Sequence, residues 1–182
     1  MMRMRHVLFA LCFVYAPAFA DDLASNAELT ELKKQDQAAR SGGVNGIDWK
    51  LVSLQDAERR KRVADILRAG EVRTSEDYFN AALIYQHGPT VDDIRLAYSL
   101  ANVAATLDPD NKTARWLTAA AWDRIMMRLR KPQWYGTQFD KPKDSETWQL
   151  YMIDETAVSD EDRKALGVPT LEEAKARAAK IR

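Results

Sequence analysis

WLTAAAWDRIMM, residues Trp116 to Met127, decides how this chain is read. It is an almost unbroken apolar run of helix-forming residues that nevertheless carries Asp123 and Arg124 side by side near its end. A helix apolar on nearly every face is buried in a core, and a buried charge is costly unless it is paired and hydrogen-bonded. Asp123 and Arg124 therefore need partners from elsewhere. The other unusual polar residues are Gln86 and His87, ending AALIYQHG, and those of KPQWYGTQF, Lys131 to Phe139. The three segments are expected to meet, with Gln86, His87, Asp123, Arg124 and Tyr135 in one cluster.

Working outward to the N-terminus, Arg3 and Arg5 precede an apolar run from Val7 to Tyr15, and Ala18-Phe19-Ala20 stands before Asp21. That is the three-part pattern of a secretory signal peptide with a small-residue cleavage site, and the run is too short to span a membrane. Residues 1–20 are read as the signal and 21–182 as a single helical domain, exported to a periplasmic or extracellular space, with no stable membrane insertion. An uncleaved anchor is the alternative. Leu11 stands where a small residue would precede a lipidated cysteine, so Cys12 is no lipoprotein site. Cleavage leaves 25 basic and 27 acidic residues and removes the only cysteine. The near-neutral balance points away from nucleic acid as a partner. A disulfide is excluded even in an oxidising compartment.

Capping signals divide the remainder. A first helix from Ser25 or Asn26 to Arg40 is stopped by Gly42-Gly43. Val44 to Val52 reads as a loop pinning Trp49 to the body, after which Ser53 and Asp56 read as a capping pair for a second helix with an inner stripe of Ala57, Val63, Ile66 and Leu67, ending at Gly70. The basic run Glu58 to Arg62 reads as a solvated face, with an anion patch as the alternative. Thr74 with Asp77, and Thr90 with Asp93, open a third and a fourth helix; Asp110 or Asn111 caps a fifth that runs to about Arg130. Trp134–Phe139 and Trp148–Ile153 suggest a β-hairpin at about 134–153. Ser159 with Asp162 opens a short turn, and Thr170 with Glu173 a last helix over Leu171, Ala174, Ala178 and Ile181. The expected fold is mainly α, a compact antiparallel arrangement of about five to six helices with a small C-terminal β-hairpin.

Two resemblances add to this. Ala97, Ala101 and Ala104, the LDPDN turn from Leu107 to Asn111 and the tryptophan-rich helix after it resemble a tetratricopeptide hairpin repeat. This covers about one repeat, whereas a solenoid needs about three. DQAAR at Asp36 to Arg40, QHG at Gln86 to Gly88, WDR at Trp122 to Arg124 and KPQWYGTQF together resemble a bacterial family of unknown function whose pattern is DQxxR, QH, DR and PQxYGTQ. This second likeness spans most of residues 21–182 and is most specific at YGTQ. It implies that Asp36, Gln37, Arg40, Gln86, His87, Asp123, Arg124, Gln133, Tyr135, Gly136, Thr137 and Gln138 form one set, and it implies no activity or cofactor. The alanine-rich middle departs from the pattern and leaves open whether the site has been repurposed.

His87 is the only histidine after cleavage, so a multi-histidine zinc site is excluded, and no metal or cofactor is expected. His87 as a general base would need a carboxylate to set its tautomer, and Asp123 is the candidate. No cysteine or serine elbow offers a nucleophile, so Thr137 or an activated water would serve. Arg124 could clamp a carboxylate or phosphate. Tyr135, Trp134 and Trp122 are either sugar-stacking platforms or core. Three readings follow: a binding domain that holds a small polar ligand, a peptide end or a protein partner in the Gln/His/Asp/Arg/Tyr pocket; a hydrolase or transferase using His87, Asp123 and Arg124; and a polar network that only holds the fold. Whichever applies, exported protein is expected to begin at Asp21, and an intact mass that retains residues 1–20 would contradict the signal-peptide reading.

Overall fold

The computed structural model describes residues 23–42, 46–145, 147–178 and 180–181; the signal-peptide assignment lies outside them. Its described residues form seven helices and one two-stranded sheet: α1 Ala27–Ala38, α2 Trp49–Arg68, α3 Ser75–Tyr85, α4 Val91–Leu107, α5 Lys112–Arg128, β1 Phe139–Asp140, β2 Gln149–Leu150, α6 Asp160–Ala165 and α7 Leu171–Ala178. The fold is mainly helical with a small antiparallel hairpin near the C-terminus. The six-residue α6 is the segment the sequence suggested as a short turn.

Local chemistry sets the helix starts. Thr74 with Asp77, Thr90 with Asp93 and Ser159 with Asp162 each form a reciprocal capping box, and Asn111 caps α5. Asp77 does more: its Oδ1 accepts from Asn26 N–H at 2.6 Å and so ties the start of α1 to the start of α3. Gly88 is buried between α3 and α4, where a β-carbon would overlap the Asp93 side chain that caps α4. Glycine is therefore required for the turn.

Helix α3 lies at the centre, packed against α1, α2 and α4, and α4 packs in turn against α5. Ala81, Ala82, Ala97 and Ala101 are fully buried on these faces, and short side chains let the axes approach closely enough for Leu29, Val63, Ile66, Ile84, Leu100 and Leu117 to fill one core. Ala119, Ala120 and Ala121 are also buried, so α5 is covered on more than the face turned to α4. The chain after Pro132 provides that second cover.

Two expectations about α2 are corrected. The helix begins at Trp49, capped by Asp48, so Trp49 is a half-exposed first-turn residue and pins no loop. Asp56 lies inside the helix and caps nothing; Ala57 is exposed, and the buried stripe is Val52, Asp56, Arg59, Val63 and Ile66. The hairpin is also shorter than 134–153: only Phe139 pairs with Leu150 and Asp140 with Gln149. Trp134–Gln138 is no strand, because its amides turn inward to a side chain. Ile181 lies beyond the last helix.

Candidate functional site

The side chain they turn to is Asp123, fully buried on α5. Its Oδ1 accepts from Trp134 N–H at 2.8 Å and Tyr135 N–H at 2.9 Å, and its Oδ2 accepts from Thr137 N–H at 2.9 Å and Thr137 Oγ1 at 2.8 Å. Successive amides curled round one anion form a nest, and the curl requires Gly136 at φ +83°. The loop's carbonyls face the other way: Arg163 donates to Trp134 O at 2.9 Å and Tyr135 O at 3.2 Å. Gln133, also fully buried, closes the base by accepting from Gln138 N–H and donating to Gln138 O and Tyr151 O, each at 2.9 Å. Burial pushes the Asp123 carboxyl upward, against the pull of the amides of Tyr135, Thr137 and Trp134.

Arg124, one residue on, is not Asp123's partner. Its Nε donates to Gln138 Oε1 at 3.1 Å and its Nη1 to the Gln86 carbonyl at 2.9 Å, both neutral acceptors. A guanidinium carries five N–H donors, so three remain. Arg124 lines a cavity of about 540 Å³ together with Met127, Arg128, Arg130, Gln138 and Phe139. None of these three arginines pairs with a carboxylate among the described residues. Burial, with the nearby charges of Arg128 and Arg40 adding to it, lowers the Arg124 guanidinium to about 10. Arg130 holds φ +57° at the end of α5, where its N–H and that of Lys131 cap the carbonyls of Met127 and Met126. Glycine is the usual residue there.

A second polar group sits where α1, α2 and the end of α3 converge. Asp36, fully buried, accepts on Oδ1 from Arg40 Nη1 at 2.9 Å and stands 3.0 Å from His87 Nδ1; its Oδ2 accepts from Gln37 Nε2 at 2.7 Å. Arg40 also donates to Asp56 at 2.5 Å, and Asp56 accepts from Arg59 at 2.5 Å. The two carboxylates and two guanidiniums balance. An ionised carboxylate only accepts, so Nδ1 of His87 carries a proton, and Nε2 has no partner among the described residues.

The QH, DR and YGTQ segments thus meet, through the bond from Arg124 to the Gln86 carbonyl, but as two groups. Asp36, Gln37, Arg40 and His87 form one; Asp123, Gln133, Thr137, Gln138 and the backbone of Tyr135 form the other. Three corrections follow. Asp36, not Asp123, orients His87, because Asp123's acceptor sites are filled by the loop. Thr137 Oγ1 donates to Asp123 and accepts from Gln138 Nε2 at 3.0 Å, so it is no free nucleophile. Trp122 lies between Tyr98 and Trp134, with tilted rings whose centroids are 5.6 and 4.7 Å away, and so packs in an aromatic cluster rather than standing free as a platform.

Reasoning from sequence missed Asp56, Arg59, Arg163, Arg128 and Arg130. For the first two a signal existed: with Val52, Val63 and Ile66 they keep helical spacing, so a polar pair interrupts an apolar stripe. For Arg130 the signal was an arginine in place of glycine after a helix that ends before Pro132. A larger groove of about 830 Å³ between α1 and α2 exposes Leu54 and has its arginines already paired, Arg59 to Asp56 and Arg62 to Glu28. No family model matches this chain, and no curated protein or solved structure is significantly similar to it.

The Asp36 cluster has a pH signature. Burial pushes its carboxyl up, but the hydrogen bond and charge of His87, the Arg40 charge and the Gln37 bond outweigh this and hold it below the ordinary 3.8. A carboxyl lowered by folding adds stability that is present above its unfolded value and lost as pH falls through the folded one. The parent should therefore lose stability below about pH 4. Asp36→Asn, which leaves buried arginines short of charge, should lose about 3–5 kcal/mol at pH 7 and show a flatter acid limb in denaturant unfolding; equal acid slopes would contradict the assignment.

Proposed function

We propose that this is an exported binding protein that holds a small anionic ligand at Arg124. The observation that carries the reading is a half-buried guanidinium with neutral partners only, opening with Arg128 and Arg130 into one cavity. A charge desolvated without a counter-charge is costly, and an arriving carboxylate or phosphate supplies one in the two-pronged geometry that arginine favours. Asp123, Gln133, Thr137 and Gln138 then act as the mount. They hold the loop whose Gln138 side chain aims the guanidinium. The tetratricopeptide-like pairing of α4 and α5 is the scaffold in this reading, and the mount coincides with YGTQ, the stretch where the family likeness is most specific. Export rests on the N-terminal pattern; among the described residues no helix is long and apolar enough to cross a membrane.

The catalytic alternative, with His87 as acid/base and Arg124 as anion clamp, has one observation in its favour: the Asp36–His87 hydrogen bond leaves Nε2 without a partner among the described residues. His87 does not line the Arg124 cavity, so binding is placed first. Turnover of a p-nitrophenyl ester that disappears in His87→Asn would decide for catalysis.

Three substitutions separate a ligand site from a polar network that only holds the fold. Arg124→Ala strands two neutral acceptors, so stability should fall by only about 1–3 kcal/mol, while the rise in Tm that phosphate or a small carboxylate gives the parent should vanish. Asp123→Ala strands the nest and should lose about 3–5 kcal/mol. Arg130→Gly relieves a left-handed arginine and should gain about 1 kcal/mol while weakening anion binding. If no anion shifts the parent and Arg124→Ala costs as much as Asp123→Ala, the structural reading holds instead.

A further inference from the structure

The cavity at Arg124 is bounded on one side by strand β1, and that strand has a free edge. Tyr151 N–H donates to Gln138 O at 3.1 Å, Phe139 stands opposite Leu150, and Asp140 opposite Gln149. Bonded and non-bonded pairs alternate along an antiparallel ladder. With Gln138 and Tyr151 a bonded pair, Phe139 and Leu150 form the non-bonded one. The N–H and C=O of Phe139 therefore point away from β2, and no described residue bonds either of them. Phe139 lines the same cavity as the three arginines.

Cavity and edge together present a donor and an acceptor at strand spacing, a cluster of arginines, and an apolar contribution from Met127. A free phosphate would satisfy the arginines and leave the strand edge and Met127 unused. A peptide ending in a free carboxylate answers all three. Its last residue can pair with Phe139 as an added strand, about 4.8 Å from β1, its carboxylate can take the open N–H groups of Arg124, and its side chain can lie on Met127. Strand addition and carboxylate capture are both recurrent modes of peptide recognition.

We propose that the Arg124 cavity takes the C-terminal residue of a peptide or protein chain, joined to the free edge of β1 and held by its carboxylate on Arg124, Arg128 and Arg130. This rests on the anion reading above and narrows it to one class of ligand. The charge pattern supports that occupant: three arginines line the cavity without carboxylate partners among the described residues.

The test titrates the full chain with inorganic phosphate and with N-acetylated tripeptides ending in Val, Leu, Met or Phe, each prepared as free acid and as amide, following backbone amide shifts by NMR. At least one free acid is expected to bind about tenfold or more tighter than its amide, to shift the Phe139 and Asp140 amides, and to be displaced by phosphate. Methylating the backbone nitrogen of its last residue removes the donor to Phe139 O and should weaken binding by about tenfold. The double variant Arg128→Gln/Arg130→Gln alters two exposed side chains, should leave the fold intact, and should lose a similar factor. If phosphate binds in an Arg124-dependent way while acids and amides bind alike, or neither binds at about 10 mM, the peptide assignment fails and the anion reading stands. If neither phosphate nor any free acid binds, both fail.

Discussion

Everything near the C-terminal half of this molecule depends on one carboxylate accepting four hydrogen bonds. Asp123 sits on a helix that would otherwise be apolar, and it gathers three backbone amides and a hydroxyl from a loop with no regular secondary structure. Those amides would be stranded if the loop merely packed on α5, since a buried unpaired N–H is rarely tolerated. Arg163 meets the same requirement for the loop's carbonyls, donating to Trp134 and Tyr135 from the last turn of α6. An anion inside and a cation outside fix the curl of the loop, and with it the position of Gln138.

The neighbouring residues Asp123 and Arg124 divide two tasks because they leave α5 about 100° apart around its axis. Asp123 faces the loop and is completely enclosed. Arg124 faces the seam between the end of α3 and the start of β1, where its two partners are neutral and a cavity opens. The enclosed charge is spent on structure, and the open one remains available. That contrast is the basis for placing a ligand on Arg124 and a mounting role on Asp123, although both belong to one short motif.

The Asp36 cluster obeys a different rule. Asp36 and Asp56 are buried in the same region as Arg40 and Arg59, so each charge has an opposite one at hydrogen-bonding distance. Such a balanced set fastens α1 to α2, while His87 links it to the end of α3. A buried network of this kind contributes more to unique geometry than to net stability. It also brings the Arg40 charge close enough to lower the Arg124 guanidinium, so the two groups are electrostatically joined as well as bridged by Gln86.

What the sequence determined by itself is local or compositional. The mainly helical class, most helix starts and the short hairpin near the C-terminus followed from capping pairs and apolar spacing, because caps act within four residues and periodicity is a property of one helix. Asp123 announced itself as a charge in an apolar run. Only the tertiary structure decided which residue meets which. Asp56 resembled a cap because a Ser-x-x-Asp pattern is the same in a loop and inside a helix; the position of Asp48 and the proximity of Arg40 settled it. Asp123 looked like His87's partner, because spacing along a helix says nothing about what covers it. Trp134 to Gln138 had strand-forming side chains, yet their backbone donors found a better acceptor in a carboxylate that arrives from a different helix, and no local propensity outweighs four such bonds in a dry interior.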